Sequence, residues 1–132
     1  MRYVALAGRV TFSLIFLMTP LTHFSPQGIA YAAQQGLPLA AVLVPLSGVV
    51  AFAGALSLLL GYRAKLGAWL VVAFLIPVTA VMHGFWSVQD PMMRQVQLAM
   101  FMKNLSILGG ALLITQFGAG PVSLDARPHA GS

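Results

Sequence analysis

Residues 39–60 read LAAVLVPLSGVVAFAGALSLLL, twenty-two positions without a charged side chain. A helix rises ~1.5 Å per residue and the hydrocarbon layer is ~30 Å thick, so a helical run of this length crosses a bilayer. Three further apolar runs surround it. They are Tyr3 to Thr22, broken by Arg9; Leu66 to Met82; and Leu98 to Phe117, which contains Lys103. Together they take up most of a 132-residue chain. The composition agrees, with 59% hydrophobic and only 7% charged residues, against ~25% charged in a soluble domain. Too little polar surface exists to cover a core in water. The sequence predicts an all-α membrane protein, a four transmembrane helix bundle with a short interfacial helix between spans one and two.

Local signals place that short helix. Ser25-Pro26 is an N-cap followed by a first-position proline, and Gly36 with Pro38 is a stop signal. The intervening segment is too short to span, which assigns it to the membrane interface. Asp90-Pro91 is a second start signal, so the fourth helix begins at Pro91, ahead of its apolar part. Ser47, Ala51 and Ala55 in span two, and Ser106, Gly109 and Gly110 in span four, read as packing faces, because small side chains let lipid-embedded helices approach. Residues 1–117 form one transmembrane domain on this reading, and residues 118–132, rich in Gly, Pro and Ala, form a mobile cytoplasmic tail. Ala30-Tyr31-Ala32 resembles a signal-peptide cleavage site, but Arg9 interrupts the hydrophobic run before it, so the first run is expected to be retained. Thr19-x-x-x-His23 and Thr79-x-x-x-His83 close spans one and three, a faint sign of a duplicated hairpin.

The seven basic residues are scattered along the chain, which argues against nucleic acid as a partner. Arg2, Arg63, Lys65 and Arg127 flank the spans in a pattern that the positive-inside rule reads as both termini cytoplasmic. His23, His83, Trp86 and Asp90 then fall at the outer side. There is no cysteine, hence no thiol chemistry and no thiolate metal ligand.

Four residues stand out as candidate ligand-binding groups: His23, His83, Lys103 and Asn104. Lys103 lies about 8 Å inside the fourth apolar run at helical rise, where an ammonium either snorkels to the headgroups or faces a site in the bundle. Asn104 beside it cannot snorkel as far. His23 and His83 end two different spans and could hydrogen-bond a quinone. Haem or metal ligation is disfavoured, since neither histidine has a Cys, Asp or Glu companion at ligand spacing. Arg9 reads as snorkelling toward lipid phosphate. No paired carboxylates, Ser-His-Asp set or phosphate loop is present, so no catalytic residue is assigned.

Leu58-Leu59-Leu60-Gly61-Tyr62-Arg63, His83-Gly84-Phe85-Trp86, Phe101-Met102-Lys103-Asn104-Leu105 and Ser123-Leu124-Asp125-Ala126 together resemble the DoxX family of four-helix membrane proteins. That resemblance implies the four-helix fold and an accessory or anchoring subunit of the bacterial cytoplasmic (inner) membrane. Such a subunit would bind a quinone or a membrane or periplasmic redox protein at its outer half, with homo-oligomers as a further expectation. The alternatives are a quinone-linked oxidoreductase acting on a small sulfur compound such as thiosulfate, a small-molecule transporter, or a scaffold. The family's span-two glutamate has no counterpart here, because residues 48–60 contain no acid.

Overall fold

The computed structural model describes residues 1–128. Six α-helices follow one another: α1 (Arg2–Leu17), α2 (Pro20–His23), α3 (Pro26–Gln34), α4 (Ala40–Leu60), α5 (Ala64–Met82) and α6 (Pro91–Phe117). A 3-10 turn at Phe85–Ser87 precedes α6. Four stretches among the described residues are long and apolar enough to cross a membrane: Arg2–His23, Ala40–Leu60, Ala64–Ser87 and Pro91–Phe117. The protein is therefore an all-α, multi-pass membrane protein whose surroundings are the lipid bilayer.

The first span is one unit bent at a proline. Pro20 has no N–H to give the carbonyl of Phe16. Thr19 supplies the missing donors instead, through its amide at 3.2 Å and its hydroxyl at 2.7 Å. The two sequence start signals act as expected. Ser25 accepts from the amide of Gly28 at 3.0 Å to begin α3, and Asp90 accepts from that of Met93 at 2.8 Å to begin α6.

Helix α4 packs against both α1 and α5, and α5 against α6. The α4–α5 contact is set by two glycines. A Cβ on Gly54 would lie 2.9 Å from the Gly67 carbonyl oxygen, and one on Gly67 would lie 3.0 Å from that of Gly54. Only bare backbones fit this close, the means by which helices associate when lipid offers no hydrophobic drive. Ala51, Ala55 and Leu58 of α4 and Ala64, Ala68 and Val71 of α5 are completely buried along this seam. Phe16 of α1 sits edge-on to Phe74 of α5 at 6.1 Å.

The packing face of α6 differs from the one read in the sequence. Asn104 and Ala111 are its buried residues, whereas Ser106 and Gly109 are exposed, and a Cβ on Gly109 would meet nothing within 4 Å. Gly110 does face a neighbour, the ring of Phe12 in α1. A helix turns ~100° per residue, so positions 104 and 111, two turns apart, share a face that 106 and 109 leave. Small size marked the wrong side, because the inward side is held by a hydrogen bond.

The chain after α6 folds back over the end of the bundle. The amide of Leu124 donates to the carbonyl of Leu60 at 3.3 Å, and that of Asp125 to Gly61 at 2.8 Å. Part of the stretch read as a mobile tail is thereby tied down; its last residues, 129–132, lie outside the described residues.

Candidate functional site

At the end of the bundle where α4 meets α5, Arg9 reaches inward and is only 4% exposed. Its Nε donates to the carbonyl of Leu58 at 2.7 Å, Nη1 donates to that of Ala119, and Nη2 donates to Leu59 at 3.4 Å and Val122 at 3.1 Å. The last carbonyls of any helix lack intrahelical donors, and a guanidinium carries five donors in a rigid fork. Arg9 thus joins the end of α4 to the returning tail rather than snorkelling to lipid. Gly61 makes room for it: at φ +64 it takes the left-handed turn that ends α4, and a Cβ there would sit 3.1 Å from the guanidinium. Asp125 completes this end by accepting from the amides of Arg63 at 2.7 Å and Ala64 at 2.9 Å, which caps α5. Two sequence features bear on this arrangement: a charge inside an apolar run, and an α4 end whose carbonyls need donors. The tail as the partner carries no local signal.

The opposite end is organised around His23. A cavity of about 470 Å³ lies between α2, α3, α4 and α5, with His23, Ser47, Val44, Phe74, Pro77 and Val78 among its walls. The His23 ring leans on Phe74 at 5.6 Å, and Gly48 gives it space, since a Cβ there would lie 2.6 Å from the His23 Cβ. Leu43 and Leu46, which also line the cavity, are exposed on the lipid side of α4. The site is thus a groove open to the hydrocarbon layer.

Its few polar atoms have defined roles. His23 Nδ1 lies 3.0 Å from the Thr19 carbonyl oxygen. The Thr22 hydroxyl stands 3.1 Å from the same nitrogen, so Nδ1 is held between an oxygen that only accepts and one that can donate. The Ser47 hydroxyl donates to Val44 at 2.7 Å, so what it offers a ligand is a lone pair. Pro77 in α5 cannot donate back to Ala73, whose carbonyl lacks its α-helical partner, and both residues line the groove. The polar part of the wall is thus small: the His23 ring and the hydroxyls of Thr22, Tyr31 and Ser47.

Of the four residues singled out in the sequence, only His23 belongs to this groove. His83 places Nδ1 2.8 Å from Gln97 Oε1, and Asn104 donates to the Thr79 hydroxyl at 3.1 Å. These two contacts form a polar ladder between α5 and α6. Lys103 is on the exposed side of α6, its Nζ turned back to the Met100 sulfur at 3.5 Å. Phe85 and Trp86 pack edge-on against Phe101 of α6 at 5.4 and 6.1 Å. The groove itself carries no signal in the sequence beyond His23.

The geometry defines a class: a four-span membrane protein with an apolar groove open to lipid at one end and a hydrogen-bonded lock at the other. The family model described as the SURF4 family matches residues 1–129, and the chain belongs to that family. It is 31% identical over 126 residues to the Surfeit locus protein 4 homolog of Schizosaccharomyces pombe, covering 95% of this chain and 37% of that one. It is 28% identical over 125 residues to the ER-derived vesicles protein ERV29 of Saccharomyces cerevisiae, covering 95% of this chain and 34% of that protein. It is 26% identical over 124 residues to the inner membrane protein YphA of Escherichia coli, covering 92% and 88%. The chain thus spans little more than a third of the length of the Schizosaccharomyces pombe relative. No solved structure matches it.

These findings correct three expectations. The family is SURF4, not DoxX; the four-helix pattern and the His-x-Phe-Trp and Lys-Asn segments that suggested DoxX serve helix packing here. The quinone-binding or redox-subunit function, together with its sulfur-compound alternative and its redox partner, falls with that assignment. The placement in a bacterial cytoplasmic membrane is overturned as well, since relatives matched over 95% of this chain are eukaryotic and one is named for ER-derived vesicles, although an Escherichia coli relative is named for the inner membrane.

Proposed function

We propose that this protein is a membrane receptor, which takes an apolar client from the bilayer into the groove beneath α3 and holds it without chemical change. The observation that carries this reading is the cavity beside His23, apolar in its walls, sparing in polar atoms and open toward lipid past Leu43 and Leu46. Its volume falls in the range of ~300–1,000 Å³ usual for small-molecule sites. Family membership supports a receptor role in vesicle traffic, because a relative matched over 95% of this chain is named for ER-derived vesicles.

The test fills the groove. Ala73 lines it and is exposed to it, so Ala73→Trp should occupy the space without disturbing the α4–α5 seam. In phosphatidylcholine nanodiscs, a fluorescent alkyl-chain probe should bind the parent saturably and the variant at least tenfold more weakly, at unchanged melting temperature. Identical, unsaturable partitioning in both would remove the receptor reading.

A further inference from the structure

The end of the bundle opposite the groove carries an excess of positive charge. Arg2, Arg63, Lys65 and Arg127 are all exposed there. The sequence holds only two acids. Asp90 begins α6 at the other end, and Asp125 gives its two oxygens to the amides of Arg63 and Ala64. The charge of Asp125 is matched by that of the buried Arg9. The surface cations are thus left without a carboxylate partner among the described residues. Two of them stand together: Arg63 and Lys65 line a second cavity, of about 530 Å³, between the α4–α5 turn and the returning tail. We infer that this cleft holds the headgroup of an anionic membrane phospholipid that bears a phosphate monoester.

The backbone at Arg63 points the same way. Its φ of 48 is a left-handed conformation that glycine takes without strain, as Gly61 does two positions earlier. A cation that only orients a loop in the membrane needs neither a strained backbone nor a cavity. The guanidinium is stacked over the Tyr62 ring at 5.7 Å, which orients its fork. The Lys65 stem lies along the start of the tail, its Cε 3.5 Å from where a Cβ on Gly118 would be. A guanidinium meets phosphate as a two-toothed fork and an ammonium as a point charge. Together they match the roughly two negative charges of a phosphate monoester. A zwitterionic head would bring an ammonium of its own into a cleft already positive. Leu66 and Phe117 line the same cleft and are exposed. Since α5 begins at Ala64 and α6 ends at Phe117, the cleft lies where headgroups meet hydrocarbon. Cations beside exposed apolar side chains fit an amphiphile better than a free phosphate.

The experiment places the full chain in phosphatidylcholine nanodiscs with an equal minor fraction of phosphatidic acid or phosphatidylglycerol, and reads the lipids retained on the protein by native mass spectrometry. The parent should retain phosphatidic acid well above phosphatidylglycerol, whose phosphate is a diester. Arg63→Gly keeps the amide that Asp125 accepts from and suits the positive φ, so its melting temperature should equal or exceed the parent's. Its retention of phosphatidic acid should nevertheless fall about fivefold or more, the factor that one cation at a charged membrane surface supplies. Lys65→Gln should lower retention about as much. Arg2→Gln removes an exposed cation that does not line the cleft, and should change retention by less than about twofold. Glycerol 3-phosphate, the same head without its chains, should leave the bound lipid in place. Equal losses from Arg2→Gln and Arg63→Gly would mean a diffuse surface attraction and overturn the site. Equal retention of the two anionic lipids by the parent would overturn the monoester selection. Full displacement by glycerol 3-phosphate would overturn the assignment to a lipid. None of these outcomes bears on the groove beside His23, which lies at the other end of the bundle.

Discussion

The two ends of this bundle treat exposed carbonyls in opposite ways. At the end of α4, four hydrogen bonds from one guanidinium reach the carbonyls of Leu58, Leu59, Ala119 and Val122, and one carboxylate accepts from the amides of Arg63 and Ala64. At the other end Pro77 leaves the carbonyl of Ala73 without its α-helical donor beside a groove, and no side chain among the described residues donates to it. Both ends are built from apolar helices with a single basic side chain near the middle of the arrangement. The difference is whether a segment distant in sequence returns to supply partners. Where the tail returns, the end is a lock; where nothing returns, a groove remains. On the proposed receptor reading, stability and client binding lie at opposite ends, and substitutions should separate them.

The largest effect is expected at Arg9. Arg9→Met leaves buried carbonyls without donors and releases the tail, which should cost roughly 3–5 kcal/mol of stability. Thermal unfolding in detergent would register it. Arg9→Lys should recover only part, since an ammonium is a point donor and cannot fork to four carbonyls. Probe binding by whatever fraction remains folded should match the parent. An Arg9→Met variant as stable as the parent would break the contrast between the ends.

Asp125 should matter less and more locally. Asp125→Ala removes the cap of α5, a change of about 1–2 kcal/mol by analogy with other N-caps. It also withdraws support from Arg63, which sits at φ 48, a conformation that side chains seldom adopt unaided. The amide hydrogens of Leu124 and Asp125 should then exchange with solvent faster than in the parent, because the tail opens more often. Unchanged exchange would show that Arg9 alone holds the tail, and the lock would shrink to one residue.

The parts of this fold that were legible in the sequence are those with local causes. Span lengths follow from apolar runs, and the caps at Ser25 and Asp90 from residues within one helical turn of their partners. Arg9 and Lys103 looked alike, each a lone cation in an apolar run, yet one is buried in a carbonyl cage and the other lies on the exposed side of α6. Their difference is decided by what packs opposite, about 110 positions away for Arg9 and Ala119. The groove was hidden for a similar reason. His23 was noticed for its pairing with His83, but its setting comes from the Thr19 carbonyl and Thr22 hydroxyl that hold its ring and from α4 and α5, which shape the space around it.

The smallest effect is expected at Lys103, and it is best read beside its neighbour. Asn104 is 7% exposed and donates to Thr79 across the α5–α6 seam. Asn104→Leu should cost about 1 kcal/mol, in line with interhelical hydrogen bonds measured in membranes. Thr79→Val should cost a similar amount, and the double variant little more than either alone if the two act as one contact. Lys103→Met, by contrast, exchanges a lipid-side ammonium for an apolar chain of similar length, so stability should stay within about 0.5 kcal/mol of the parent or rise slightly. Neither change should alter probe uptake into the groove, because both residues belong to α6 and the groove is walled by α2, α3, α4 and α5. Adjacent residues would then give a measurable loss and none. Were Lys103→Met to weaken the probe, the groove would have to extend around the bundle to α6, and the division between a locked end and an open one would no longer follow the helices as described.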